Sequence, residues 1–152
     1  MENHIDIVLI EDNHFEAELA IKSLEKNKLA NKVLHIDEGE EALDFIFCRG
    51  KYELGKNIQH PKLVLLDLKL PKMNGLQILK EIKTNPLTKD IPVVILTSSQ
   101  EERDIVDCYH LGANSFIVKP VSFESFSKAV TELGFYWLLL NQTQAKKSTT
   151  LL

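Results

Sequence analysis

The chain has 152 residues, of which 44% are hydrophobic and 26% are charged, with only 6 glycines and 5 prolines. This composition excludes a disordered or low-complexity polymer, and the length is that of one domain. The 18 basic and 22 acidic residues give a net charge of −4. A mildly acidic protein lacks the basic surface of a nucleic-acid-binding protein and would be repelled by an anionic membrane. We therefore expect one globular domain that binds neither DNA nor a membrane.

No targeting segment is evident in the sequence. The first 12 residues carry acids rather than basic residues, and the longest apolar run, residues 135–140, is far shorter than a membrane span. The two cysteines, Cys48 and Cys108, lie 60 positions apart and form no Cys-x-x-Cys motif. This spacing favours reduced thiols over a disulfide. We expect a cytoplasmic protein.

Apolar, β-rich runs alternate with segments of helical period along the chain. The predicted strands are residues 5–10, 32–36, 63–66, 93–96 and 115–118. The predicted helices are residues 15–24, 40–48, 76–83, 101–111 and 123–140, and residues 49–61 are predicted to be a loop. Continuous apolar strands that alternate with helices are typical of a parallel sheet covered on both faces. The predicted fold is therefore α/β, a doubly wound five-stranded parallel sheet with five helices, in a domain of residues 1–141 followed by a flexible tail, 142–152.

Polar side chains follow the predicted strands at the points where the strands end. Strand one precedes Glu11 and Asp12, strand three precedes Asp67, strand four precedes Thr97, and strand five precedes Lys119. Ligands of open parallel sheets bind beyond the carboxyl ends of the strands. One polar residue at a strand end is common, but five at one edge of a sheet predict a functional site.

The residue types at this edge indicate phosphoryl chemistry with a metal ion. Three carboxylates held close together repel each other unless a cation neutralises them. Hard oxygen ligands at a hydrated edge favour Mg²⁺, and no cysteine or histidine at a strand end indicates zinc. Asp67 can act as a carboxylate nucleophile that forms an aspartyl phosphate. Mg²⁺ and Lys119 would offset the charge of the phosphoryl group, and Thr97 would donate a hydrogen bond to it.

These residues resemble the receiver domains of two-component response regulators, which have a flavodoxin-like fold, over roughly residues 5–140. The matching motifs are the acidic pair Glu11-Asp12, residues 66–75 (LDLKLPKMNG), residues 96–99 (LTSS) and residues 116–120 (FIVKP). The spacing also agrees, with 30 residues from Asp67 to Thr97 and 22 from Thr97 to Lys119. The resemblance implies a phosphoacceptor signalling domain that catalyses only its own phosphorylation and slow dephosphorylation, rather than an enzyme.

The resemblance assigns the phosphoryl and metal chemistry to particular residues. Asp67 would accept a phosphoryl group from a phosphohistidine of a sensor histidine kinase. The implied Mg²⁺ ligands are the carboxylates of Glu11, Asp12 and Asp67 and the backbone carbonyl of Lys69.

The resemblance also implies how phosphorylation changes the surface. Lys119 would pair with the phosphoryl group, and the peptide bond before Pro120 would be cis. Thr97 would move toward the phosphate, and Phe116 would turn inward into the space that Thr97 vacates. Phosphorylation would then change the packing of the face made by helix four, strand five and helix five.

Two features resemble the stand-alone receivers that partner bacterial phytochromes and similar sensor kinases. They are the longer loop of residues 48–61 and the aromatic segment of residues 135–140. A helix end that is apolar on every side has more apolar surface than one contact within the molecule can bury. We therefore expect a homodimer through this segment and the face of helix four, strand five and helix five. Only 33 residues follow Lys119, so we expect no DNA-binding module.

Three alternatives to a phosphoacceptor switch are weaker. An aspartyl-nucleophile phosphatase would carry a second aspartate two positions after Asp67, where this chain has Lys69. A nucleotide-binding module would carry a glycine-rich loop after strand one, where this chain has residues 11–14 (EDNH). A receiver-like scaffold that works without phosphate is disfavoured because every site residue is present.

The histidines show no metal-ligand spacing. His14 is interpreted as a solvent residue at a helix start, and His4, His35, His60 and His110 are expected to be surface groups.

Overall fold

The computed structural model describes residues 5–26, 32–53, 60–98 and 102–133. The strands are β1 (Ile7–Ile10), β2 (Val33–Ile36), β3 (Leu63–Asp67), β4 (Val93–Thr97) and β5 (Ser115–Val118). The helices are α1 (His14–Lys26), α2 (Gly39–Ile46), α3 (Gly75–Thr84), α4 (Glu102–His110) and α5 (Phe123–Leu133), and Gly50–Tyr52 form a 3₁₀ turn.

The strands form one parallel sheet in the order β2-β1-β3-β4-β5. This arrangement confirms the predicted five-stranded parallel sheet with five helices. Every residue of β1, β3 and β4 is buried, because these three central strands have a neighbour on each side and helices over both faces. None of the helices in the described part of the chain combines the length and apolar character that a membrane span requires.

Two hydrophobic cores lie on the two faces of the sheet, because successive strand residues point to opposite faces. Val8, Ile10, Val64 and Leu66 pack with α2, α3 and α4. The intervening residues pack with α1 and α5, where the ring of Phe126 is fully buried. The helices therefore cover the two faces of the sheet, and the predicted site lies at the carboxyl ends of its central strands.

Two strands run one residue further than the sequence predicted. Asp67 is the last residue of β3 and pairs with Leu96, and Thr97 is the last residue of β4 and pairs with Val118. The neighbouring strands supply backbone partners at these positions, and a pattern of apolar residues cannot show such pairing. Both polar side chains are consequently held by the sheet rather than by a loop.

The predicted loop at residues 49–61 is partly ordered by local contacts. Tyr52 donates a hydrogen bond to Glu41 at 2.6 Å, and its ring packs edge-to-face on Phe45. Arg49 bonds to Asp44 at 3.0 Å. The prediction of a loop is thus wrong for the 3₁₀ turn, and residues 54–59 of the predicted loop lie outside the described part of the chain.

The end of the chain lies outside the described residues. α5 is described up to Leu133, so residues 134–140 of the predicted fifth helix, with the aromatic segment, are not covered. The boundary between a domain of residues 1–141 and a tail of residues 142–152 stays a prediction. Cys48 and Cys108 are both free thiols, in agreement with the sequence.

Gly75 begins α3 and lies directly against the backbone that follows β3. A Cβ atom at this position would lie 2.6 Å from the Cα atom of Leu68 and 2.8 Å from the carbonyl oxygen of Asp67. The preceding Asn74 caps the helix, since its side chain accepts a hydrogen bond from the backbone N–H of Leu76 at 2.8 Å. The tight passage from β3 to α3 therefore requires glycine, and it fixes the backbone around Asp67.

We expect Gly75→Ala to lower the free energy of unfolding by about 1–3 kcal/mol, because the added methyl group meets backbone atoms that cannot move independently. Gly39→Ala is the matched control. A Cβ at Gly39 would lie 2.7 Å from Cδ1 of Ile78, which is the far end of a flexible side chain. Urea unfolding should show the smaller loss for Gly39→Ala, and equal losses would contradict this account.

Candidate functional site

Three acidic side chains meet at the carboxyl edge of the sheet. Glu11 and Asp12 follow β1, and Asp67 ends β3, the strand next to β1. One carboxylate oxygen from each of the three lies within 4.8 Å of the others. Glu11 and Asp67 are buried, and Asp12 is exposed. Carboxylates this close repel each other, and their oxygens are a suitable ligand set for a divalent cation.

Lys119 brings a positive charge to these acids from the end of the edge strand β5, which lies two strands away from β3. It follows β5, and its backbone N–H donates to the carbonyl of Thr97 at 2.8 Å. Its Nζ lies 2.7 Å from Oε1 of Glu11 and 3.2 Å from Oδ2 of Asp67. The peptide bond between Lys119 and Pro120 is cis, as the resemblance implies.

The pKa values show how strongly these groups interact. Burial raises the pKa of Glu11 to about 7, and the hydrogen bond and charge of Asp67 add to this rise, while the Lys119 ammonium opposes it. Burial by itself would lower the pKa of Lys119, but its bonds to carboxylates outweigh burial and raise that pKa. Lys119 is therefore a permanent cation at neutral pH, whereas Glu11 is only partly ionised there.

Asp67 opens onto a small cavity that contains hydrogen-bond donors. Its Oδ1 accepts from the backbone N–H of Lys69 at 3.2 Å. Asp67, Lys69, Thr97 and Ser98 line this cavity of about 130 Å³, together with Leu68, Asn74 and Leu76. A carboxylate beside a hydroxyl and an ammonium has the surroundings of a nucleophile whose product is anionic. The assignment of the Lys69 carbonyl as a metal ligand stays a prediction.

Phe116 connects the edge of the sheet to helix α4. It lies in β5 opposite Ile95 and is half-buried. Its ring contacts that of Tyr109 on α4, edge-to-face, with the ring centroids 6.3 Å apart. The predicted movements of Thr97 and Phe116 on phosphorylation stay predictions.

Glu16 is a fourth carboxylate at this site, and it was not predicted from the sequence. Its Oε1 lies 2.8 Å from Nζ of Lys119, 103 positions away in the chain. The available signal was its position in the first turn of α1, four residues after Asp12. A glutamate there is also common for helix-dipole reasons alone, so sequence could not single it out.

The expectation that the remaining histidines are surface groups is wrong for two of them. His35 is half-buried, and its Nε2 donates to the backbone carbonyl of Glu11 at 2.6 Å. His60 is half-buried too, with a buried Nδ1 atom. The side chain of His14 is exposed as predicted, but it bonds to Asp37 at 2.9 Å and packs edge-to-face on His35. His110 is exposed, and His4 lies outside the described residues.

The family follows from the sequence profile that matches the chain. The profile of the response regulator receiver domain covers residues 7–131. The chain belongs to the response regulator receiver domain family. As a receiver domain it functions in two-component signalling, and the scaffold and phosphatase alternatives are not favoured.

Curated and solved proteins give the same assignment along most of this receiver. Response regulator Rcp1 of Synechocystis sp. is 36% identical over 132 residues, which is 87% of this chain and 88% of Rcp1. The bacteriophytochrome response regulator AtBRR is 47% identical, with a TM-score of 0.79 over 92% of this chain and 99% of AtBRR. The phosphorylated cyanobacterial phytochrome response regulator RcpA is 35% identical, with a TM-score of 0.73 over 89% of this chain and 94% of RcpA.

Rcp1 has also been crystallised with a metal. Its Mn²⁺-bound form is 34% identical to this chain, with a TM-score of 0.71 over 88% of this chain and 94% of that one. Receiver domains thus bind a divalent metal, and the acidic cluster of this chain is a suitable place for one.

We expect Lys119→Met to destabilise the metal-free receiver by about 3 kcal/mol at about pH 8, since it leaves buried carboxylates without their cation. The pKa of Glu11 is raised, so its ionised form destabilises the fold, and stability falls as pH rises through about 7. The loss should therefore be smaller at about pH 6, where Glu11 is protonated.

Lys72→Met is the control for this substitution, because Lys72 pairs with Glu38 on the exposed surface. It should cost about 0.5 kcal/mol or less at either pH. Urea unfolding in the presence of a chelator measures both. A loss for Lys119→Met that does not change with pH would argue against ionised Glu11 as its source.

Proposed function

We propose that Asp67 accepts a phosphoryl group from a phosphohistidine of a sensor histidine kinase, with Mg²⁺ bound by Glu11, Asp12, Asp67 and the Lys69 carbonyl. The observation that supports this proposal is the position of the Asp67 carboxylate. It lies within bonding distance of the Lys119 ammonium and the Lys69 backbone N–H, and it faces a cavity lined by Thr97.

In the proposed transfer, a carboxylate oxygen of Asp67 forms a bond to phosphorus, and the bond from phosphorus to the imidazole nitrogen breaks. The electron pair of that bond stays on the nitrogen, which takes up a proton. The burial of Asp67 limits access of bulk water to the acyl phosphate. Lys119 offers its ammonium, and Thr97 its hydroxyl, to the phosphoryl oxygens as their negative charge moves into the cavity.

Mg²⁺ is the metal that the donor set favours. Oxygen ligands at an edge where Asp12 is exposed leave room for the water molecules that Mg²⁺ keeps. When bound, it would neutralise the acids and polarise the phosphoryl oxygens. The chain itself contributes the placement of the carboxylate ligands, which β1 and β3 hold side by side.

The domain would catalyse only reactions of its own phosphoryl group, its formation and its slow hydrolysis, and would act on no other substrate. The phosphatase alternative needs an acidic side chain two positions after the nucleophile. That position is Lys69, whose side chain is exposed and whose backbone N–H, rather than an acid, contacts Asp67.

The partners are inferred from the relatives and the surface. We propose a phytochrome-type sensor kinase in the cytoplasm as the phosphoryl donor, because two of the similar proteins are phytochrome response regulators. The output would be a homodimer through α4, β5 and α5, without DNA or a membrane. Val106 and Tyr109 of α4 are exposed apolar groups on this face, and Tyr109 contacts Phe116.

Incubation with acetyl phosphate and Mg²⁺ should add one phosphoryl group, detected as an increase in intact mass. Asp67→Asn and a chelator should each abolish the addition, because the first removes the nucleophile and the second removes the metal. Asp107→Asn, an exposed position on α4, is the control and should be modified like the wild type. If the wild-type protein stays unmodified in excess acetyl phosphate and Mg²⁺, the scaffold alternative is favoured instead.

The dimer should tighten when the site is filled. Sedimentation with beryllofluoride and Mg²⁺ should show a larger dimeric fraction than Mg²⁺ alone, and Val106→Glu should reduce it by placing a charge in the contact. Leu87→Glu is the control, since Leu87 is exposed in the loop between α3 and β4. A monomer under every condition, or equal loss in both variants, would exclude this interface.

A further inference from the structure

The ammonium group of Lys119 is fully engaged by carboxylates. Its Nζ lies 2.7 Å from Glu11, 2.8 Å from Glu16 and 3.2 Å from Asp67. A lysine ammonium has three N–H donors, so each carboxylate takes one of them. A phosphoryl group on Asp67 would take over the donor that Asp67 holds, and it could accept a second bond from Lys119 only if Glu11 or Glu16 released one of the other donors.

The three carboxylates differ in what else they do. Glu11 and Asp67 belong to the acidic cluster that could hold a metal, which within the described residues comprises these two and Asp12. Glu16 lies outside this cluster. Its side chain is 46% exposed, against 3% for Glu11 and 6% for Asp67. Glu16 can therefore return to water at low cost, whereas the other two cannot.

The backbone keeps Glu16 in place while its side chain remains free to move. The Asn13 side chain accepts a hydrogen bond from the backbone N–H of Glu16 at 2.9 Å, and the Asn13 backbone N–H donates to Glu11 at 3.2 Å. Asn13 thus ties the two carboxylate-bearing residues together at the start of α1. Release of Lys119 by Glu16 would require a side-chain rotation and no change in the helix.

The cavities on the two sides of the site indicate the direction of that release. Lys119 and Glu16 line a cavity of about 280 Å³ between α1 and the chain after β5, whereas Asp67 and Thr97 line the separate cavity of about 130 Å³. Glu16 thus holds the ammonium on the α1 side, and the phosphoryl group would draw it toward the side of Asp67.

We propose that Glu16 is a positioning residue that holds Lys119 in the unphosphorylated protein and competes with the phosphoryl group on Asp67 for the Lys119 ammonium. This inference rests on the proposed function and adds a fourth acid to its site. Glu16 would set how readily the phosphorylated state forms. Release of its side chain from Lys119 would also change the exposed surface at the start of α1.

The test compares the affinity for beryllofluoride, a phosphoryl mimic that binds the Asp67 carboxylate, at saturating Mg²⁺. Glu16→Gln removes the competing charge and should tighten binding about two- to fivefold, the range expected for a partly exposed ion pair. Glu18→Gln is the matched control. It removes the same charge from the same helix, where Glu18 pairs with Lys22 at 3.2 Å, and it should bind like the wild type.

A second readout separates positioning from a merely structural role. The side-chain nitrogen resonance of Lys119 in the metal-free protein should shift in Glu16→Gln and stay unchanged in Glu18→Gln. If Glu16 only stabilises the first turn of α1, its substitution will lower the melting temperature and leave the beryllofluoride affinity unchanged.

Unchanged or weaker beryllofluoride binding by Glu16→Gln would overturn the inference, provided that the wild type binds. Equal tightening in Glu18→Gln would overturn it as well, because the effect would then be one of net charge. Absence of binding by the wild type would instead refute the proposed function, and this inference would fall with it.

Discussion

The bonds between the Lys119 ammonium and the acids at the edge of the sheet make this site possible. Two buried carboxylates, Glu11 and Asp67, lie close enough to repel each other, and burial raises the pKa of Glu11. Lys119 contacts both, at 2.7 and 3.2 Å. The ammonium thereby opposes the rise that burial gives to the pKa of Glu11. Without this cation, the buried acids would lower the free energy of unfolding.

The parallel sheet explains how groups so far apart in the chain meet. β1 and β3 are neighbours and end in register, so Glu11 and Asp67 emerge side by side. β4 and β5 then place Thr97 and Lys119 next in order along the same edge. The close approach of Gly75 to the backbone of Leu68 fixes the loop behind Asp67. Stability and function are thus coupled, because the residues that hold the edge together also set the geometry of the acids.

Some local predictions succeeded because their signals are strong. The central strands β1, β3 and β4 were found since each contains a run of four apolar residues, which a central parallel strand needs in order to pack on both faces. The polar residues that follow those apolar runs were located for the same reason. Two kinds of feature were missed. Strand ends that carry polar residues, such as Thr97, depend on pairing with a neighbour, and the contacts of His35 and Glu16 depend on which side chains lie across a gap.

The sequence by itself determined the fold class and the order in which acids, hydroxyl and ammonium follow the strands, because apolar periodicity and residue type are local properties. Only the tertiary structure decided how charge is shared at the site. That Lys119 binds Glu16 as well as Glu11 and Asp67, and that His35 supports the backbone of Glu11, depends on distances between segments that are remote in the chain. Electrostatic energy varies with separation and burial, and neither quantity can be read from residue order.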